Sequence, residues 1–495
     1  MKKYLYLLLT GTFFNTIQAQ DISDAMRYSQ DNLQGTARFR AMGGAFGALG
    51  GDFSSLNVNP AGGAVFTASQ FSATVNSTNI KNKTNYFGSG NTEKENSFDL
   101  KQLGAIWVFT DENQVSNWQK FTVGVNYENA RNLDNKIFTQ GYNPTNSVSQ
   151  YFLSHANQIH GGNTFQNDQI FLGTQGNVIA SNLDPAAPNR YISNTPAGGN
   201  YYQENFEETS GYNGKLSFNF ATQYKDRFYF GLNLNAHFTD YIRKSSFYED
   251  YLDTPGSSQT DNLQALRFNN ELYTYGNGFS FQVGAIAKIT NELRFGIAYD
   301  SPTWYHLNDE TYQDLSVTDA DGSFFVSPSD YNTIYAGYNL RTPGKYTGSL
   351  GYVFGKVGLI SVDYAVKDYS NTKFSSNENR NALRNSNFSE TNDNLNSLLD
   401  MSSEIRVGAE TRVKQWSFRG GYRFEQSPYK NTNSMGDLHG ISGGLGYNFG
   451  RTRLDAAYAY SKRDIQQTFF SQGLTDISDL KSVYNNISLT LLFEI

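Results

Sequence analysis

Apolar residues recur at every second position in one stretch of this chain after another. Over 441–449, Ile441, Gly443, Leu445, Tyr447 and Phe449 fall on one side of an extended chain, and Ser442, Gly444, Gly446 and Asn448 on the other. The same rhythm sets Phe228, Phe230, Leu232, Leu234, Ala236 and Phe238 against Tyr229, Gly231, Asn233, Asn235, His237 and Thr239. It also sets Leu293, Phe295, Ile297 and Tyr299 against Arg294, Gly296, Ala298 and Asp300. Charges join the second face, as with Arg406, Glu410 and Arg412 opposite Ile405, Val407 and Ala409. A soluble sandwich with an apolar core and a membrane barrel with an apolar exterior share this alternation, so the pattern alone leaves both open.

Connection lengths separate the two. The pattern predicts fourteen strands, at 67–80, 98–110, 119–134, 209–224, 227–245, 264–289, 292–307, 342–354, 357–369, 402–413, 416–427, 438–449, 452–463 and 481–494. Pro343 marks a bulge or strand start in the eighth. Lys225-Asp226, Thr290-Asn291, Gly355-Lys356, Lys414-Gln415 and Gly450-Arg451 read as tight hairpin turns, and 111–118 is slightly longer. They alternate with the long segments 81–97, 135–208, 246–263, 308–341, 370–401, 428–437 and 464–480. An even number of strands with every long loop on one side is the arrangement of an outer-membrane barrel, and a sandwich has no reason to segregate loops by length. The fold expected is therefore all-β: a 14-stranded antiparallel transmembrane β-barrel.

Composition supports one large closed sheet. The 495 residues contain no second composition regime, Pro-rich linker or charge block that would part soluble domains. Mean hydropathy is −0.55, and nothing after the leader approaches the roughly 20 apolar residues of a transmembrane helix, so a span must be made of strands. The 37 Phe and 34 Tyr suit a lipid-facing surface and its interfacial girdles. The absence of cysteine excludes a disulfide framework, a thiol nucleophile and a lipidated N-terminal Cys. A net charge of −7 without a basic stripe argues against nucleic acid as a partner. Lys2 and Lys3, the apolar run Tyr4 to Phe14 and Ala19 resemble an export signal, so 1–19 reads as a signal peptide. The final strand places Ile487, Leu489, Leu491, Phe493 and Ile495 on one face, resembling the C-terminal signal that brings barrels to their assembly machinery.

Residues 20–66 show no alternation. A short polar helix over Asp21 to Gln34 precedes a Gly-rich, apolar stretch whose Phe39, Met42, Phe46, Leu49, Phe53 and Leu56 are unsuited to a solvated tether. Such residues call for a cavity, and a fourteen-strand barrel has a lumen that would leak if left empty. Hence the division expected is 1–19 signal peptide, 20–66 plug inside the lumen and 67–495 barrel. Arg27, Arg38 and Arg40 are candidates to pair with Glu404, Glu410 or Asp455 on the wall.

The stretch Ala41-Met42-Gly43-Gly44, followed by Asn59-Pro60-Ala61-Gly62, resembles the plug and NPA motif of the FadL/TodX family of outer-membrane transporters. LRFGIAYDSP, Leu293 to Pro302, is similar to a barrel strand that recurs in that family. The resemblance covers most of the chain, is tightest over 38–63 and departs in the segment 135–208. It implies passage of hydrophobic compounds, long-chain fatty acids foremost, across the outer membrane of a Gram-negative bacterium by gradient-driven diffusion. It also implies a shift of the plug on binding and an exit sideways through the third strand.

On this reading Phe152, Leu153, Phe165, Phe171 and Leu172 collect substrate, and Phe39, Met42, Phe46, Leu49 and Phe53 bound its pocket. Packing of those plug residues against the wall is the competing expectation. Gly43, Gly44, Gly47, Gly50 and Gly51 are candidate hinges, and Asn59, Pro60 and Ala61 form the plug motif. The partners expected are a hydrophobic small molecule, outer-membrane lipid and the barrel-assembly machinery, for a monomer with no metal or cofactor. Two rival functions remain: a general porin or structural surface barrel, and an outer-membrane lipid hydrolase. The latter would rest on GISGG, Gly440 to Gly444, although Ser442 falls within an alternating strand rather than at a strand-to-helix turn.

Overall fold

A computed structural model describes residues 22–111, 116–158, 168–184, 189–257, 263–327, 333–376 and 388–495. The proposed signal peptide lies outside the described residues. Fourteen staves close into one antiparallel barrel. They begin β1 (Gln70–Tyr86), β2 (Ser89–Thr110), β3 (Trp118–Asn132, continued by Asn135–Asn143), β4 (Tyr201–Tyr224), β5 (Phe228–Asp250) and β6 (Ala265–Lys288). Next come β7 (Leu293–Asp300, then Trp304–Asp319), β8 (Tyr338–Arg341, then Lys345–Phe354) and β9 (Gly358–Asp368, then Lys373–Ser376). The set is completed by β10 (Met401–Val413), β11 (Trp416–Glu425), β12 (Leu438–Asn448), β13 (Thr452–Thr468) and β14 (Ile477–Glu494). Pairing of β1 with β14, from Gln70↔Glu494 to Asn85↔Asp479, closes the cylinder.

Alternation resolves as the barrel reading requires. Phe228, Phe230, Leu232 and Leu234 are exposed on the outside, whereas Tyr229, Asn233 and Asn235 are buried in the lumen. Lys225 and Lys414 take positive φ in tight turns, as do Gly355 and Gly450, and these turns lie on the side opposite the long loops. Aromatic pairs such as Trp118–Tyr224 and Trp416–Tyr447, with ring centroids 4.9 and 4.8 Å apart, mark the girdle on the short-turn side.

Several strands outrun their sequence-based bounds. The segment 81–97, expected to be a loop, is an extension of the β1–β2 hairpin, tightened at Phe87 (φ 46°) and Gly88 (φ 86°). Pro302 and Pro343 sit in the breaks that divide β7 and β8, where a missing N–H does least harm. The long segment after β3 contributes α3 (Ser149–Gln158) and α4 (Asp168–Gln175), which roof the barrel's outer mouth.

The N-terminal segment fills the lumen. α1 (Ile22–Ser29) packs under the outer mouth, α2 (Ala37–Ala41) lies against β11 to β14, and two short 3-10 turns, Ser54–Asn57 and Pro60–Val65, follow. Ala37, Ala41, Met42, Phe46, Leu56 and Ala61 are fully buried, so this segment is a stopper rather than a tether.

Candidate functional site

The plug is seated in recesses cut by glycines of the wall. Gly231 on β5 and Gly284 on β6 stand directly opposite one another. A Cβ on Gly284 would fall 2.1 Å from Asn59 Oδ1, and one on Gly231 would fall 2.2 Å from the Pro60 carbonyl carbon. Asn59 caps the turn that follows it: its Oδ1 accepts from the Ala61 N–H at 3.1 Å. Its amide nitrogen donates to Gly47 O at 2.8 Å and reaches Ala285 O and Ile297 O at 3.1 and 3.3 Å. The NPA residues thus tie plug to plug and plug to wall. A second glycine pair, Gly408 opposite Gly421, admits the Met42–Gly43 backbone in the same way.

Charge completes the seating. Arg38 donates to Glu410 at 2.8 Å, and Glu410 is also held by Arg412 and Arg419, the latter bridging to Asp455. Of the three plug arginines, Arg38 pairs with a wall carboxylate. Arg27 pairs with Asp24 on its own helix, and Arg40 has the neutral partners Asn76 and Gln34. Asp363 accepts the N–H groups of Phe46 and Gly47, a contact that sequence reasoning missed. Ser442 accepts from the Gly43 N–H and donates to Ala41 O, so it docks the plug and is no exposed nucleophile.

The proposed hinge stretch is left-handed at Gly43, Gly44, Gly50 and Gly51, with φ between 61° and 79°. Gly47 is instead required by proximity: a Cβ there would fall 2.0 Å from Ser349 Oγ. Phe39, Met42, Phe46 and Leu49 form one apolar cluster with Leu359, and Phe53 forms another with Phe66 and Ile106. These five residues pack against the wall, and none lines the main cavity.

That cavity, about 740 Å³, lies between the plug and the outer roof. Its floor is Leu33, Arg40 and Gly43; its walls include Ile80, Ile137 and Tyr241; Tyr151, Phe469 and Phe470 cover it. The roof is an aromatic stack, with Tyr151–Phe470 centroids 4.4 Å apart and Phe247–Phe470 5.1 Å apart. Phe152 and Leu172 are fully buried in the core of the roof, Leu153 packs against it and Phe171 is half-buried. Phe165 lies outside the described residues. Buried Glu249 pins the roof by accepting from Ser147 Oγ, the Val148 N–H and Gln203 Nε2. His155 on α3 is held 2.7 Å from Gln472, and burial lowers its pKa to about 4, so its ring is neutral.

Cations outnumber carboxylates around the cavity: Arg27, Arg40, Lys101, Arg131, Arg243, Arg423 and Arg463 against Asp134 and Glu207. Several are neutralised nearby, Arg423 and Arg463 by Glu425 and Lys101 by Asp99. Arg40 and Arg131 have no ion-pair partner among the described residues. Arg131 donates to Arg27 O at 2.7 Å, while the buried Arg40 Nε has no hydrogen-bond acceptor. A smaller polar cavity of about 160 Å³ lies beyond the partition Gln30, Asn32, Leu33 and Gln34, and Arg131 borders both.

Beside Arg131 the wall is incomplete. The β2–β3 ladder runs from Thr110↔Lys120 to Gln102↔Glu128 and stops there. Beyond it, Asn135–Asn143 pairs with β4 alone and passes inside β1, where Asn82 and Thr84 donate to Lys136 O and Phe138 O. Among the described residues, side chains alone bridge the slot between β2 and β3: Asn132 Nδ2 donates to Ser97 Oγ and Asp99 Oδ2, and Lys136 pairs with Glu95.

The family model described as "Outer membrane protein transport protein (OMPP1/FadL/TodX)" matches residues 208–481. Among solved structures, the fold is similar to that of a Pseudomonas aeruginosa FadL homologue, at TM-score 0.54 and 14% identity, covering 94% of this chain and 99% of that one. It is also similar to the Pseudomonas putida toluene transporter TodX, at TM-score 0.52 and 13% identity over the same shares. No curated protein matches the sequence. With its closed barrel, internal plug and family match, the chain belongs to the OMPP1/FadL/TodX family and is a non-enzymatic outer-membrane channel for hydrophobic compounds.

Proposed function

We propose that the compound carried is an acidic amphiphile of the long-chain fatty-acid type, rather than a bare hydrocarbon. The observation that supports this is the pair of cavity arginines, Arg40 and Arg131, without carboxylate partners. An unpaired guanidinium is costly to bury, and the acid group of a ligand would satisfy it. The remaining surface suits the tail: Ile80, Ile137, Phe247 and Phe268 line the same space. Each buried methylene contributes about 0.8 kcal/mol, so tail length adds affinity without further polar contacts. A volume near 740 Å³ lies within the usual range for small-molecule sites.

Entry is through the aromatic roof and exit through the slot between β2 and β3. Arg131 ends the register shift that follows Asn129 and comes one residue before Asn132, whose amide bridges that slot. An acid group drawn to Arg131 therefore bears directly on the slot's closure. The hinge glycines Gly43, Gly44, Gly50 and Gly51 permit the plug to yield as the tail passes.

The test is equilibrium binding of hexadecanoate and hexadecanol to the purified protein. A charge-assisted hydrogen bond contributes about 1.5–3 kcal/mol, so the acid binds about 10- to 150-fold more tightly than the alcohol, and Arg131→Gln removes the difference. Equal binding of acid and alcohol, with a small aromatic hydrocarbon competing as well, would favour hydrocarbon as the cargo.

A further inference from the structure

The outer wall above the apolar belt has a feature that the passage of cargo does not use. Lys81 on β1 stands directly opposite Lys94 on β2, and Lys83 stands directly opposite Lys481 on β14. Along the rung of Lys81, Val483 and then Lys462 follow on β14 and β13. Five lysines thus share one external face across four adjacent staves. The register fixes the face, because Ser77↔Phe98, Val75↔Leu100 and Val75↔Leu489 are the rungs of the same parity below them. Phe98, Leu100 and Leu489 are exposed to lipid.

Like charges directly opposite one another destabilise a sheet. By contrast, two other lysines of this rim are matched, Lys136 to Glu95 and Glu208, and Lys244 to Glu271. None of the five patch lysines makes a hydrogen bond or ion pair among the described residues. Asp464, opposite Lys481, and Asp479, held by Gln466, are the acids of the same face. This cationic excess runs against a chain whose net charge is −7.

Height identifies what the patch meets. From the rung of Ser77 and Phe98 to that of Lys81 and Lys94 is four residues, about 13 Å along a strand and about 10 Å along the membrane normal at the usual tilt. The lysines therefore stand at the level of the outer-leaflet head groups, on the long-loop side, with stems long enough to reach down to them. Tyr458 and Tyr460, on β13 two rungs and one rung below Lys462, mark the interface there.

We propose that Lys81, Lys83, Lys94, Lys462 and Lys481 form a binding surface for phosphate-bearing lipid head groups of the outer leaflet. Phosphates seated between the facing lysines relieve the repulsion across both rungs and fix lipid against β1, β2, β13 and β14. The proposal rests on the barrel's place in the outer membrane and not on the identity of the cargo. The flank it marks includes β2, one wall of the slot.

Native mass spectrometry of the detergent-purified full chain tests it, with diphosphorylated lipid A and the dephosphorylated lipid of identical acyl chains as probes. Wild type is expected to retain the phosphorylated lipid on the order of tenfold more. K81Q/K83Q/K94Q/K481Q is expected to lose that preference, and the milder K81Q/K94Q to reduce it. K356Q/K414Q, on the short-turn side, leaves it intact. The wild-type comparison needs no variant: equal retention of the two lipids overturns the proposal outright. A preference that survives in K81Q/K94Q and in the quadruple variant places the phosphate site elsewhere and overturns it as well.

Discussion

Replacing Asn59 by Ala isolates the contribution of the NPA motif to seating the plug. The side chain provides one cap, to the Ala61 N–H, and a donor to Gly47 O with Ala285 O and Ile297 O close by. Loss of the cap costs about 1 kcal/mol, and loss of the buried donor about 1–3 kcal/mol, because Gly47 O forfeits a donor inside the lumen. Together they weaken local docking by about 2–4 kcal/mol, or about 30- to 700-fold in the opening equilibrium. Hydrogen exchange followed by mass spectrometry on peptides covering 43–65 reads this directly. Protection there is expected to fall by that factor, while peptides from β5, β6 and β12 remain unchanged. Protection of 43–65 within about threefold of wild type would refute the role assigned to Asn59. Equal loss in the barrel strands would show that the motif supports the whole fold instead.

Gly284→Ala acts on the same contact from the wall, since its Cβ would fall 2.1 Å from Asn59 Oδ1. Its effect on plug exchange is expected to be less than additive with Asn59→Ala, whereas Gly420→Ala, whose Cβ meets nothing within 4 Å, is expected to have little effect. Acid is expected to loosen the roof. The half-buried His155 is neutral with a pKa lowered to about 4, so an opened roof binds a proton that the closed one refuses. Stability contributed by closure is full above the ordinary histidine pKa near 6.5 and is lost as pH falls toward about 4. Exchange of 149–158, corrected for the intrinsic rate, should rise across that window in wild type and remain flat in His155→Gln; a flat wild-type profile would contradict the assignment.

The barrel was legible because its strands repeat one rule across the membrane, with lipid outside and the plug or water within. Where that contrast disappears, so does the pattern. Lys81, Lys83, Glu93, Lys94 and Glu95 stand above the apolar belt with polar surroundings on both faces, so the extended hairpin looked like a loop. The plug was legible from its glycine content and large apolar residues, which lie away from the main cavity although Phe39 borders the smaller one. Phe39, Met42, Phe46, Leu49 and Phe53 are apolar because they pack on the wall. The cavity lies nearer the outer mouth and is bordered by segments far apart in sequence, such as Arg40, Arg131, Phe247 and Phe470. That Arg40 and Arg131 lack a counter-ion depends on what the fold brings near them, which spacing along the chain does not reveal. The wall glycines Gly231, Gly284, Gly296, Gly408 and Gly421 did leave a trace. All lie inside strands on the lumen face, where glycine otherwise weakens a sheet and its presence signals a close approach.

The proposed exit of cargo sideways between β2 and β3 is tested by bridging the slot. The chain has no cysteine, so Ser97→Cys with Asn132→Cys introduces the only thiols, at positions whose native side chains are 3.2 Å apart. In cells carrying this variant the two cysteines are bridged with a short bis-methanethiosulfonate reagent, each thiol forming a disulfide with release of methanesulfinate, and uptake of labelled hexadecanoate is measured before bridging, after it and after reductive cleavage. If cargo leaves through the slot, uptake falls to the level of cells lacking the protein and returns on cleavage; undiminished uptake through the bridged barrel refutes that exit.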